Sequence, residues 1–140
     1  MMRVVVDANI VVGATISPTG RPAQVRAAWE SGQILLVISR SVLSEVERVL
    51  ARPPLARKYN VTPERAARVA ASLREYGLIV PGTAVRGAVH RHANDDHVIS
   101  AAVESRADCI VTGDEHLLAL GEYEGIPILT AQEFLDTLNG

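Results

Sequence analysis

Arg3-Val4-Val5-Val6-Asp7 places three β-branched residues in a row and closes on a carboxylate. The run is continuous rather than alternating, which is the pattern of a strand covered on both faces, as in a parallel sheet. Similar runs return at 34–38, 78–80, 109–111 and 126–129. Helical patterns separate them. Arg21-Pro22 opens a helix through Val25 and Trp29 that ends near Gly32, after a turn at Pro18 to Gly20. Ser39 fits an N-cap before Val42, Leu43, Val46, Val49 and Leu50, and Pro53-Pro54 stops that helix. Thr62-Pro63 opens another, with Gly77 as its expected C-cap. An extended piece is expected around 85–89. Asn94 is expected to cap a helix bearing Val98, Ile99, Ala102 and Val103, and Thr130-Ala131-Gln132-Glu133 matches a capping box. Strands alternating with helices predict an α/β fold with a mostly parallel central sheet flanked by helices.

The chain has 140 residues, 48% of them hydrophobic, and a mean hydropathy of +0.16. That is the size of one domain, expected to span 1–140, with no repeat, linker or low-complexity tract to divide it. At this length roughly 68% of the unfolded surface is buried on folding, so a core forms without disulfides or structural metals. The lone Cys109 excludes an internal disulfide and reads as a buried thiol. No apolar run approaches the roughly 20 residues of a membrane span, and the apolar start is too short for a signal peptide. The expected location is the cytoplasm, with no membrane partner.

The net charge of −2 conceals an asymmetry. Residues 40–91 hold ten basic and four acidic side chains, a balance of +6, and the remainder carries −8. One part suits phosphate and the other gathers cations. Thirteen of the fourteen basic residues are Arg, whose planar fork makes bidentate phosphate contacts. Arg40, Arg48 and Arg52 are the candidate substrate-binding residues of this stretch.

Ligands of open parallel sheets lie beyond the carboxyl ends of the strands. Asp7 and Asp114 follow strand runs there, and Asp95 and Asp96 open the helix that leads to the second of those strands. Singly, each is an ordinary turn or first-turn helix residue. Together, converging carboxylates repel one another unless a cation lies between them, and hard divalent ions favour such oxygen ligands. Helix phase puts Asp95 on the face of Val98, Ile99 and Ala102, and Asp96 with Ser100. In the earlier helix Glu45 and Glu47 flank the apolar stripe on opposite sides, and periodicity does not choose between them.

Other chemistries lack their motifs. There is no G-x-G-x-x-G and no G-x-x-x-x-G-K-[ST], so the glycines that cradle dinucleotides and phosphates are missing. His90-Arg91-His92 with His97 lack zinc-ligand spacing and read as solvent-facing, with His97 and His116 expected near the active site. Aromatics at 4% leave little for base-stacking platforms.

Val6-Asp7-Ala8-Asn9, Leu43-Ser44-Glu45-Val46, Asn94-Asp95-Asp96 with Ala102, and Val111-Thr112-Gly113-Asp114 stand in an order and spacing that resembles the PIN-domain nucleases. The tail Ile126-Pro127-Ile128-Leu129-Thr130 before Glu133-Phe134-Leu135 is similar too. The likeness covers nearly the whole chain and is greatest to the toxin components (VapC-like) of toxin–antitoxin pairs. It implies a metal-site set of Asp7, Glu45, Asp95 and Asp114, with Asp96 a second candidate and Asn9 and Thr112 supporting. His116 stands where many relatives carry a second aspartate. The resemblance further implies Mg²⁺- or Mn²⁺-dependent hydrolysis of RNA, a cognate antitoxin placing an Arg among the carboxylates, and a homodimer. The competing expectations are a non-catalytic RNA- or protein-binding module of the same fold, and a PIN nuclease acting outside toxin–antitoxin systems.

Overall fold

The structure, a computed structural model, describes residues 1–87 and 93–140, and for Ala93, Asn94 and Asp95 the backbone alone. Among the described residues the elements run β1 (Arg3–Val6), α1 (Ala8–Ile16), α2 (Arg21–Glu30), β2 (Leu35–Ser39), α3 (Arg40–Leu50), α4 (Pro53–Lys58), α5 (Pro63–Tyr76) and β3 (Gly77–Val80). They continue as α6 (Ala93–Ser105), β4 (Cys109–Val111), α7 (Glu115–Leu120), β5 (Glu122–Tyr123), β6 (Ile126–Leu129) and α8 (Ala131–Asn139). The strands form one six-stranded sheet in the order β3-β2-β1-β4-β6-β5. All neighbours pair in parallel except β5, which is antiparallel to β6. The chain is thus an α/β protein with a mostly parallel sheet.

The central strands are apolar because both faces are covered. Val4, Val5 and Val6 of β1, Leu36, Val37 and Ile38 of β2, and Ile110 and Val111 of β4 are all essentially inaccessible. Helices pack over them through Val42, Val46, Leu73, Ile99 and Phe134, which are also buried. Cys109 lies in this core, where burial first and then the neighbouring Asp108 push its thiol up to about 12, so it stays protonated. Among the described residues no helix is long and apolar enough to cross a membrane.

Register aligns the carboxyl ends of the strands. Val5 lies opposite Val37, Val6 opposite Val111, and Ser39 opposite Val80. One step on, the Asp7 N–H donates to Val111 O and the Thr112 N–H to Leu129 O, both at 3.0 Å. Asp7, Ser39, Thr112 and Thr130 therefore share one rim. Three of them cap the following helix: Asp7 takes the N–H of Ala8, Ser39 that of Val42, and Thr130 that of Glu133.

Several local expectations change. Residues 8–16 form α1, which has no counterpart in the periodicity, because Ala8, Ile10, Val11, Ala14 and Thr15 bury several sides and leave no polar stripe. Pro53-Pro54 ends α3 but also opens α4, since proline is accepted in the first turn of a helix. The short α7 and β5 also escape a reading by period. Gly77 is the C-cap of α5 as expected, but in an extended conformation: at φ −89° and ψ 140° it is also the first residue of β3, and the helix passes straight into the strand. Glycine is needed for space, because a Cβ there would stand 2.4 Å from Leu73 O. α6 begins at Ala93, so Asn94 lies within it rather than before it. Residues 85–87 are not strand, and the rest of the expected extended piece, together with His90, Arg91 and His92, lies outside the described residues.

Candidate active site

Asp7 occupies the centre of the rim, at the end of the strand flanked by β2 and β4. It is only 7% exposed. Its Oδ1 accepts the Ala8 N–H at 2.7 Å and its Oδ2 accepts the Thr112 hydroxyl at 2.7 Å. Burial pushes its carboxyl above the ordinary range, the two hydrogen bonds pull it down, and the charges of Glu45 and Asp114 push it up again. The net direction is upward. Three acidic groups from distant parts of the chain thus act on one another at this point.

Glu45 lies one turn into α3 and is half-buried, whereas Glu47 is exposed and turns to α5, where Arg74 Nη2 meets its Oε1 at 2.9 Å. Of the two residues that periodicity left open, it is Glu45, the one the resemblance names, whose charge acts on Asp7. Asp114 caps α7, its Oδ1 accepting the His116 N–H at 2.7 Å. Two supports fix the turn before it. The Thr112 hydroxyl accepts the Asp114 N–H at 3.0 Å, and Asn9 Oδ1 accepts the Gly113 N–H at 3.1 Å. Asn9 and Thr112 thereby tie the start of α1 to the end of β4.

Asp95 belongs to the first turn of α6, and its side chain lies outside the described residues. Asp96, next to it, has Oδ2 on the Gly87 N–H at 2.8 Å. It shares a helix face with Ser100, whose hydroxyl bonds both N–H and C=O of Val85, and with Glu104, which accepts the N–H groups of Gly82, Thr83 and Ala84. Glu104 has no place in the sequence expectations, although the 96-100-104 spacing sets three hydrogen-bonding groups on one face. His97 is half-buried on this helix, with Nδ1 2.7 Å from Gly82 O.

Arg40, Arg48 and Arg52 are all exposed. Arg40 opens α3 at the rim, Arg48 lies in its last turn, and Arg52 lies beyond its end, as the residue before α4. Only the first of the three stands beside the acidic group.

Asp7, Glu45 and Asp114 offer oxygen alone, and the buried Asp7 carboxylate, pushed up by the charges of the other two, would be relieved by a positive ion. This donor chemistry fits a hard divalent cation such as Mg²⁺ or Mn²⁺. Among the described residues no three acidic, imidazole or thiol side chains stand close enough to enclose an ion by themselves.

Comparison with known proteins agrees with this geometry. A 120-residue stretch is 31% identical to an uncharacterized protein of Methanocaldococcus jannaschii, covering 85% of this chain and 75% of that relative. Residues 3–116 match the family model described as PIN domain, and proteins with this domain are typically nucleases. The matched span runs from the first residue of β1 past Asp114 and so takes in every acidic residue placed on the rim: the chain belongs to the PIN-domain family.

Proposed function

We propose that the protein is a metal-dependent endoribonuclease that hydrolyses phosphodiester bonds in RNA, acting as the toxin of a toxin–antitoxin pair. The observation that carries the nuclease reading is the buried Asp7 carboxylate, bonded by Thr112 and crowded by Glu45 and Asp114. Asp7, Asp114 and Asp95 hold Mg²⁺ or Mn²⁺, Glu45 holds it or orients water, and Asp96 is the alternative at its step. Such an ion, when bound, makes a water nucleophilic at neutral pH and offsets charge at the scissile phosphate. Thr112 and Asn9 keep the carboxylates in register. Arg40 meets a phosphate at the rim, with Arg48 contacting substrate further along α3 and Arg52 just beyond its end. The toxin assignment rests on the likeness of the sequence motifs to such toxins, and brings with it a cognate antitoxin, a homodimer and a place in the cytoplasm.

The test is cleavage of a labelled structured-RNA pool with Mn²⁺, Mg²⁺ or EDTA, with Asp7→Asn and Asp114→Asn protein purified in parallel. Cutting that requires metal and disappears in both variants supports the reading. No cutting and no metal binding by the folded protein would favour a non-catalytic binding module. Co-expression with the product of an adjacent small gene then separates a toxin, which that product silences, from a nuclease acting alone.

A further inference from the structure

Residues 82–87 form a strap tied to α6 at five of its six residues. Glu104 Oε1 accepts the Gly82 N–H, and its Oε2 accepts those of Thr83 and Ala84, all at 2.8 Å. One turn back, the Ser100 hydroxyl bonds Val85 through both N–H and C=O at 2.9 Å. One turn further, Asp96 Oδ2 takes the Gly87 N–H at 2.8 Å. Burial raises the Glu104 carboxyl, but the three backbone bonds outweigh it and hold it below its ordinary value, as expected of a carboxylate that the strap keeps ionised.

The strap also has a fixed place. It leaves β3 level with Ser39, and a Cβ on Gly82 would lie 2.7 Å from Ser39 Cβ, so it presses on the rim. Its far end rests on Asp96, in the helix turn that carries Asp95. Between the two pinned residues Val85 and Gly87 stands Arg86, exposed, making no hydrogen bond or ion pair among the described residues. A backbone pinned on both sides of an exposed guanidinium, in a strap that runs from Ser39 to the helix turn carrying Asp95, gives a polyanion a fixed contact, which carboxylates alone would repel.

We propose that Arg86 is a substrate-positioning residue that holds an RNA phosphate near the scissile bond, and that Glu104, through the strap, holds Arg86 in place. The proposal rests on the nuclease reading and goes beyond it. Arg86 acts on binding and leaves the chemical step alone.

The experiment compares wild type with Arg86→Ala, Arg86→Lys, Glu104→Gln and, as a charge control at the opposite end of α6, Arg106→Asn. Arg106 has φ 54°, a conformation that Asn tolerates. Cleavage of a single-stranded RNA in Mn²⁺ gives kcat and KM; binding of the same fluorescein-labelled RNA in EDTA across a salt series gives the slope of affinity on salt. Arg86→Ala is expected to raise KM about tenfold with kcat within about twofold, and to reduce the salt slope by about 0.7, the loss of one phosphate contact to a single strand. Arg86→Lys restores most of both, Glu104→Gln reproduces the KM effect, and Arg106→Asn changes neither. Unchanged KM and slope in Arg86→Ala, while wild type still cuts, would overturn the proposal and leave the nuclease reading standing. An equal loss in Arg106→Asn would also overturn it, by reducing the effect to net charge. If wild type neither binds nor cuts RNA, the nuclease reading falls and this inference with it.

Discussion

Thr112 and Asp7, 105 residues apart in the chain, share a 2.7 Å hydrogen bond in which the Thr112 hydroxyl donates to Asp7 Oδ2. The same hydroxyl oxygen accepts the N–H of Asp114 at 3.0 Å. One side chain thus sets the distance between two carboxylates that like charge would drive apart. Thr112 is fully buried, and the bond to Asp7 is out of water's reach.

Thr112→Val keeps the shape and removes both bonds. Losing a buried bond to a carboxylate costs about 1.5–3 kcal/mol, which urea unfolding at neutral pH should show. Asp7 also loses a contact that lowers its pKa, so its carboxyl moves further up and the acid limb of the pH–activity profile moves to higher pH. Thr112→Ser, which keeps the hydroxyl, should restore the limb. A limb that does not move in the valine variant would show that Asp7 does not set it.

Asp7→Asn should stabilise the protein at neutral pH. The folded pKa of Asp7 lies above its unfolded value, so the native state binds that proton more tightly. Its favourable contribution is full below the ordinary value of 3.8 and is lost as pH rises through the folded pKa. At neutral pH the ionised, desolvated group is a burden that Asn lacks, and Asn remains a good N-cap. The expected gain is on the order of 1 kcal/mol, a few degrees in Tm, and it should shrink as the buffer is made acidic. An Asn variant less stable than wild type at pH 7 would mean that the two hydrogen bonds outweigh the burial.

A divalent ion at this group should reverse that order. Binding to the folded state alone adds about 2.7 kcal/mol at a hundredfold excess over Kd. Mn²⁺ should therefore raise the Tm of wild type and leave Asp7→Asn where it was. Equal rises in the two proteins would place the ion elsewhere.

Glu104 has the opposite sign. Its folded pKa is lowered from 4.5, so its contribution is present above that value and is lost as pH falls through the folded pKa. Glu104→Gln should cost stability at neutral pH and become harmless in acid, where Asp7→Asn also loses its effect. Unfolding curves of the two variants at pH 7 and pH 3 would separate the two signs. A deficit in Glu104→Gln that persists in acid would point to lost packing instead of lost charge-assisted bonds.

What could be read before folding follows from which signals are local. Val4-Val5-Val6, the Ser39 cap and the Thr130 to Glu133 capping box are contained within a few residues, and each stands in the structure where the pattern puts it. α1 was invisible because a helix buried on several sides has no polar stripe. The carboxyl ends of the strands follow from topology alone, which is why Asp7 and Asp114 could be singled out. Periodicity left Glu45 and Glu47 level and only the resemblance named Glu45; that Glu47 pairs with Arg74 of α5 is a long-range contact no local pattern shows. The strap was illegible for the same reason: nothing local says that Glu104 meets backbone N–H groups 20 residues or more earlier.

Gly82 and Gly87, at the two ends of that strap, allow its pressure on the rim to be measured. Both have positive φ, +72° and +74°, so alanine at either carries about 1–2 kcal/mol of left-handed strain. At Gly87 the new methyl meets nothing within 4 Å. At Gly82 it would stand 2.7 Å from Ser39 Cβ and 3.2 Å from His97 O, and neither neighbour is the free end of a flexible chain. Overpacking of this kind adds about 1–3 kcal/mol. Gly82→Ala should therefore lose about 2–5 kcal/mol in urea unfolding, clearly more than Gly87→Ala. Equal losses would mean that strap and rim separate easily. Because Ser39 caps the helix that carries Glu45, the Gly82 variant should also lose cleavage beyond what its unfolded fraction explains.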